Sequence, residues 1–189
     1  MENLTMERNQ VKTGLEDEAA LIEAARRDPA AFSELYRRYV TPVYRYLYKR
    51  LGNAKDAEDL TSQVLMETLE GLVRYRERGS FAAWLFTIAR RKAIQNFRRQ
   101  RPTLSLDEVE KLHSLSEDPL EQLVHDENIE RMSAVFADLD EDQRELLRLR
   151  FTADLTYAEI GSLLGRTEAA VKMAVGRLLR QMYKKWDDK

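Results

Sequence analysis

The 189-residue chain contains no cysteine. That excludes a disulfide framework, a thiolate zinc site and a cysteine nucleophile, and it leaves no thiol through which the chain itself could sense redox state. Two histidines, His113 and His125, are too few for a His-rich metal centre or a histidine-based triad. No glycine-rich loop suited to cradling a phosphate is present. Apolar runs are a few residues long, so nothing spans a bilayer, and residues 1–14 lack the apolar core of a secretory signal. The expectation is a cytoplasmic protein that inserts in no membrane, needs no metal or cofactor and is not an enzyme.

What is present is charge, and it is segregated. The formal net charge of −2 argues against a nucleic-acid partner only on average. Six bases (Arg90, Arg91, Lys92, Arg98, Arg99, Arg101) fall between Arg90 and Arg101 with no acid among them. From Pro102 to Glu130 nine acids face a lone Lys111. From Arg166 onward the balance is basic again. A solvated helix face is the bland explanation of such a run, and a phosphate-binding surface the sharper one.

Periodicity predicts an all-α protein. A short amphipathic helix over Asp17–Arg27 ends at Asp28-Pro29, because the residue before proline avoids helical backbone. A second helix is expected over Ala30–Leu51, broken or kinked at Pro42, with Tyr36, Tyr39, Tyr44, Tyr46 and Tyr48 packing around the kink. Gly52-Asn53 reads as a stop. A third helix follows over Ala54–Val73, then a loop over Arg74–Ser80. A fourth begins near Ser80, with Phe81, Trp84, Leu85 and Ile88 at helical spacing, so Trp84 reads as core before it reads as a stacking platform. Pro102 opens a polar, weakly periodic acidic linker over residues 102–127. Two small helical domains are thus expected, over residues 18–101 and 128–185.

The densest local signal lies in the second block. Thr156 with Glu159 forms a capping box, Gly165 supplies a tight turn, and Thr167 can cap the next helix. Val171, Val175 and Leu178 form that helix's inward stripe. Small Gly161, turning Gly165 and apolar Val171 match a helix-turn-helix, in which two helices must approach closely. An ordinary helical hairpin is the alternative. The outward face carries Glu168, Lys172, Met173, Gly176 and Arg180, with Arg177 at its edge.

Three segments together resemble a known family. The block from Leu139 to Ile160 is similar to the fourth conserved region of bacterial sigma factors. Asp56-Ala-Glu-Asp-Leu-Thr-Ser-Gln-Val-Leu65 resembles their core-polymerase-binding segment, and Phe81–Arg99 their promoter-melting segment. Arg91 stands where many members carry asparagine, and Asp140 where proline is usual. In order and linker the chain resembles the extracytoplasmic-function group of the sigma-70 family.

That resemblance implies a promoter-specific initiation factor whose partners are core RNA polymerase (the clamp of the largest subunit and the flap of the second largest), promoter DNA and an anti-sigma factor. Asp56, Glu58, Asp59 and Gln63 would dock on the clamp, although acids at a helix start are also favoured by the helix dipole alone. Arg74, Arg76, Arg78, Ser80, Arg90, Arg91, Lys92, Arg98 and Arg99 would engage and help open the −10 element, cations holding phosphates beside unpaired bases. Arg166, Thr167, Glu168, Lys172, Met173, Gly176, Arg177 and Arg180 would face the −35 element. The acidic linker would follow the polymerase's basic RNA channel. A stand-alone regulator using only the helix-turn-helix would leave the Arg90–Arg101 run unexplained, and a carboxylate-dependent nuclease finds no recognisable ligand spacing.

Overall fold

Asp28-Pro29 marks the first boundary. Residues 18–27 form helix α1, and the Asp28 carboxylate then accepts from the Ala30 N–H at 2.9 Å to start a 3-10 turn over Pro29–Ala31. The computed structural model describes residues 18–76, 80–100 and 135–187, and every regular element among them is helical. The acidic linker, both histidines, Arg78 and Arg101 lie outside the described residues.

Helix α2 spans Phe32–Leu51 and runs through Pro42 unbroken. The predicted break is therefore not seen. Proline forfeits one backbone hydrogen bond, but Leu35, Tyr39, Val43, Tyr46 and Leu47 are all buried along one face, each burial stabilising by roughly 1.5–3 kcal/mol. The summed packing outweighs a local preference of about 3 kcal/mol. The expected packing role of Tyr36 is also wrong: the residue is 46% exposed. Tyr44 and Tyr48, one helical turn apart, stack on each other.

Gly52 and Asn53 divide the stop between them. Gly52 closes α2 in the left-handed region at φ 67°, where glycine has no Cβ to clash. Asn53 begins helix α3, Ala54–Gly71, by accepting from the Asp56 N–H at 3.0 Å. The chain then tightens into a 3-10 turn, Leu72–Arg74, so Arg74 belongs to a helical turn and not to the loop predicted for it. Arg26 of α1 donates to the carbonyls of Leu72 and Tyr75, which holds that turn from below.

Helix α4, Phe81–Gln100, completes the first block. Its first turn is held by aromatic contacts: Phe81 meets Tyr39 and Tyr75 with ring centroids 5.4 and 5.6 Å apart, and Trp84 lies 4.8 Å from Tyr75. Gly71 permits this, since a Cβ there would lie 3.0 Å from the Trp84 ring. Trp84 is accordingly scaffold, partly buried against the core.

In the second block, Asp140 caps helix α5, Glu141–Leu147, through a full capping box with Gln143. A π-helical turn over Arg148–Thr152 follows. Helix α6, Tyr157–Leu164, starts on the Thr156–Glu159 capping box and ends at Gly165, φ 67°. Helix α7 spans Glu168–Asp187, with the Ala170 N–H capped by the Thr167 hydroxyl at 3.2 Å.

The two blocks pack against each other. The π-helical turn lies on α2 and α6 lies on α4, and one continuous buried cluster joins Val43, Leu47, Leu85 and Phe86 to Leu149, Ile160 and Val171. Leu139, Leu147 and Leu178 form a smaller cluster beneath α7.

The helix-turn-helix depends on two glycines for different reasons. A Cβ on Gly161 would sit 2.6 Å from the Arg166 carbonyl oxygen, whereas Gly165 has open space around it but a left-handed φ. Gly161→Ala is expected to force the helices apart and cost about 1–3 kcal/mol. Gly165→Ala pays only its backbone conformation, about 1 kcal/mol. Urea denaturation followed by circular dichroism should rank the two variants in that order.

Candidate functional site

The inward face of α7 buries Val171, Val175 and Leu178, so helical geometry turns the rest of the helix outward. Thr167, Glu168, Lys172, Met173, Arg177 and Arg180 are exposed on that side, with Gly176 half-buried. Met173 is 63% exposed, a large apolar side chain with no core to cover it. Arg166 is partly committed: its guanidinium donates to Asp142 of α5 at 3.3 Å. The candidate residues of this block therefore form one surface at the start and middle of a single helix.

On α3, Glu58, Asp59 and Gln63 are exposed and Asp56 is half-buried, while Ala57, Leu60, Thr61 and Val64 face inward. The four candidate docking residues thus share the outer side of the helix's first turns. The Thr61 hydroxyl is used locally, donating to the Ala57 carbonyl at 2.6 Å.

The basic stretch of α4 is less uniform than its sequence suggests. Arg91 and Lys92 both reach Glu67 of α3, Lys92 at 3.1 Å. Arg90 stands 3.4 Å from Glu145 of the second block. The run that carries no acid in sequence is thus given counter-charges by tertiary structure. Arg98 and Arg99 are exposed, as are Arg74 and Arg76, and none of these four meets an acid among the described residues. Ser80 sits at the foot of α4, its oxygen accepting from the Ala83 N–H at 3.4 Å.

The most buried polar arrangement was not foreseen from sequence. Glu145 is 3% exposed, Arg50 2% and Tyr46 0%. The Tyr46 hydroxyl donates to Glu145 Oε1 at 2.7 Å, and Arg50 donates to Oε2 of the same carboxylate. Arg148 donates to Glu141 at 2.7 Å and to Glu145 at 3.4 Å. Tyr46 and Arg50 belong to α2, and Glu141 and Glu145 to α5, so the cluster pins one block to the other. Nearby, the Ser80 hydroxyl donates to Glu159 Oε1 at 2.7 Å, while Oε2 of the same residue serves the Thr156 cap at 2.8 Å. A charged residue on an otherwise apolar face was the available signal: Arg50 and Glu145 both fall on buried stripes.

Comparison with known proteins follows this geometry closely. Residues 35–103 match the family model Sigma-70 region 2, and residues 135–184 match Sigma-70, region 4. Two such regions in that order define the class, a sigma-70-type transcription initiation factor. The chain is 34% identical over 176 residues to the ECF RNA polymerase sigma factor BldN of Streptomyces coelicolor, covering 88% of this chain and 66% of the relative. It is 32% identical over 178 residues to the ECF RNA polymerase sigma factor RpoE of Cereibacter sphaeroides, covering 90% and 98%. Among solved structures, CnrH in complex with the cytosolic domain of CnrY shares the fold at a TM-score of 0.64 and 19% identity, over 90% of this chain and 97% of that one. The chain belongs to the extracytoplasmic-function (ECF) group of the sigma-70 family.

The interface chemistry has an alkaline signature. Burial, and then the neighbouring Glu145 charge, hold the Tyr46 phenol well above the usual tyrosine value, and burial with Glu18 does the same for Tyr39. The folded state therefore grips these protons more tightly than the unfolded chain. The stabilisation is complete below about pH 10 and is lost as pH rises beyond it. In a spectrophotometric titration both phenols should ionise only as helix is lost. Tyr46→Phe should remove one phenol from that late step and cost about 1.5–3 kcal/mol at neutral pH, because a charged acceptor loses a buried donor.

Proposed function

We propose that this sigma factor binds core RNA polymerase through α3 and directs initiation by engaging promoter DNA with both blocks. The observation that carries the reading is the match of region 2 and region 4, in order, on a chain whose exposed faces hold the candidate residues. Residues 18–101 would serve polymerase binding and the −10 element, residues 102–127 would link, and residues 128–185 would read the −35 element. Asp56, Glu58, Asp59 and Gln63 would meet the clamp. Arg98, Arg99, Arg74 and Arg76 would hold phosphates beside the −10 element, and Ser80 would stand next to unpaired bases. It acts by binding and by strand separation, with no covalent step of its own, in the cell interior where the polymerase works. No helix among the described residues is long and apolar enough to cross a membrane.

Solved relatives of the same fold are complexes of a sigma factor with another chain, one of them RpoE with the anti-sigma factor NepR from Bartonella quintana, at a TM-score of 0.56 and 16% identity. An anti-sigma partner for this chain is proposed on that ground. It would compete with polymerase or DNA for the faces named above.

Polymerase docking is tested by charge. Exposed ion pairs are worth about 0–1 kcal/mol each, so a single reversal should be mild. Asp56→Arg, Glu58→Arg and Asp59→Arg together should abolish holoenzyme assembly, measured by gel filtration with core enzyme, while circular dichroism confirms the helices. Wild-type affinity in the triple variant would refute the docking face.

Promoter reading rests on few residues. With α7 in the major groove, Arg166, Arg177 and Arg180 would hold phosphates, while Lys172 and Met173 would reach base edges. Lys172 is the long donor in the first turns, suited to a guanine edge at about 1–3 kcal/mol of discrimination. Lys172→Ala, bound to a panel of −35 variants, should lose affinity at one base pair. A uniform loss across the panel would make Lys172 a phosphate contact.

A further inference from the structure

Helix α1 lies ahead of the region 2 match, which begins at residue 35, and packs Ile22 and Ala25 into the core. Its polar side chains reach two other elements. Glu18, at one end, accepts from the Tyr39 hydroxyl of α2. Arg26, at the other end, engages all three guanidinium nitrogens: Nε donates to the Leu72 carbonyl at 3.2 Å, Nη2 to the Tyr75 carbonyl, and Nη1 to the Glu23 carboxylate three residues back. The guanidinium also lies 5.9 Å from the centre of the Tyr75 ring, and that ring is 4.8 Å from Trp84 and 5.6 Å from Phe81. These contacts meet a local need. Leu72 is the C-cap of α3, whose last turn has no basic residue, so the negative end of the helix dipole and its outermost carbonyls are left to a group from elsewhere. Arg26 brings both the charge and the donors. The two carbonyls it bridges stand at either end of the 3-10 turn that contains Arg74, and the second belongs to the peptide that leads into Arg76.

We propose that Arg26 is a positioning residue for the −10 surface: by bridging the Leu72 and Tyr75 carbonyls it fixes the backbone from which Arg74 and Arg76 reach the DNA. The proposal rests on the assignment of Arg74 and Arg76 to phosphates beside the −10 element. Direct contact of Arg26 with DNA is the competing role. Geometry disfavours it, because every nitrogen is already engaged and only 25% of the side chain is exposed. Lysine is no substitute, since a single ammonium on a flexible stem keeps the charge near α3 but lacks the planar fork that serves two acceptors at once. Without the bridge the turn samples several backbone arrangements. Only the fraction with both arginines in place binds at full strength, and apparent affinity falls by that fraction.

A double-mutant cycle in the full-length chain, bound to core polymerase, tests this. The probe is a promoter selected by the wild-type holoenzyme from a random library, and the readout is open-complex formation at a temperature well below the unfolding of every variant. Arg26→Lys and Arg26→Gln are each made alone and in a background carrying Arg74→Ala with Arg76→Ala. Positioning predicts that either Arg26 variant alone loses about tenfold, the effect of freeing a pair of charge-assisted hydrogen bonds. In the Arg74→Ala, Arg76→Ala background the same change should cost less than about twofold, because the groups it acts through are gone. Holoenzyme assembly should match wild type throughout, and Arg26→Lys should keep most of the thermal stability, since the charge at the end of α3 remains. Losses that multiply across the cycle overturn the proposal, because Arg26 then acts by its own DNA contact or through the fold at large. So does an Arg26→Lys chain that opens the promoter as well as wild type. The background variant by itself tests the underlying assignment: if it opens the promoter like wild type, Arg74 and Arg76 do not serve the −10 element and the positioning role falls with them. If it loses activity while both Arg26 variants do not, the assignment stands and the positioning role alone is overturned.

Discussion

The Glu145 carboxylate, almost inaccessible to water, imposes a condition that the rest of the molecule satisfies. An ionised carboxylate removed from water costs several kcal/mol unless its oxygens are matched, and here three side chains on two elements supply the donors: Tyr46 and Arg50 on α2 and Arg148 on the π-helical turn. Arg148 belongs to the same block as Glu145, so it is Tyr46 and Arg50 that the packing of the two blocks must deliver. Apolar burial between α2, α4, α6 and the π-helical turn drives the blocks together without direction. The ionic cluster selects the register. Parting them would expose both apolar surface and a group of charges.

Local capping prepares the second block for that register. Asp140, Thr156 and Thr167 each cap a helix start, and Gly161 and Gly165 let α6 and α7 meet at close range. The outcome is a helix whose buried valines and leucine leave Lys172, Met173, Arg177 and Arg180 exposed on its outer face. Glu159 ties this local device to the wider fold: one oxygen completes a cap and the other holds Ser80. The same side chain thus shapes the helix-turn-helix and reaches the foot of α4.

Much of this was legible in the sequence, because it depends on neighbours in the chain. Helix class, the stop at Gly52, both features of the Thr156–Gly165 turn and the outward face of α7 follow from spacing and capping, which act within a few residues. The errors fall where distant residues intervene. Pro42 leaves α2 intact because its flanking residues bury a long stripe against other helices. Arg90, Arg91 and Lys92 look uncompensated along the chain because Glu67 and Glu145 lie more than twenty residues away.

By itself, then, the sequence determined an all-helical chain in two blocks, a helix-turn-helix with its outward residues, and membership of a family of initiation factors. Those are properties of local periodicity and of ordered motifs. Only the tertiary structure decided that the blocks pack together, that Tyr46, Arg50 and Glu145 form their junction, and that Ser80 and Arg90 meet acids of the second block. Partners that lie 55 (Arg90 to Glu145) to 99 (Tyr46 to Glu145) residues apart carry no local signal of their pairing, since a buried charge becomes tolerable only when the whole chain has brought its counterpart to it.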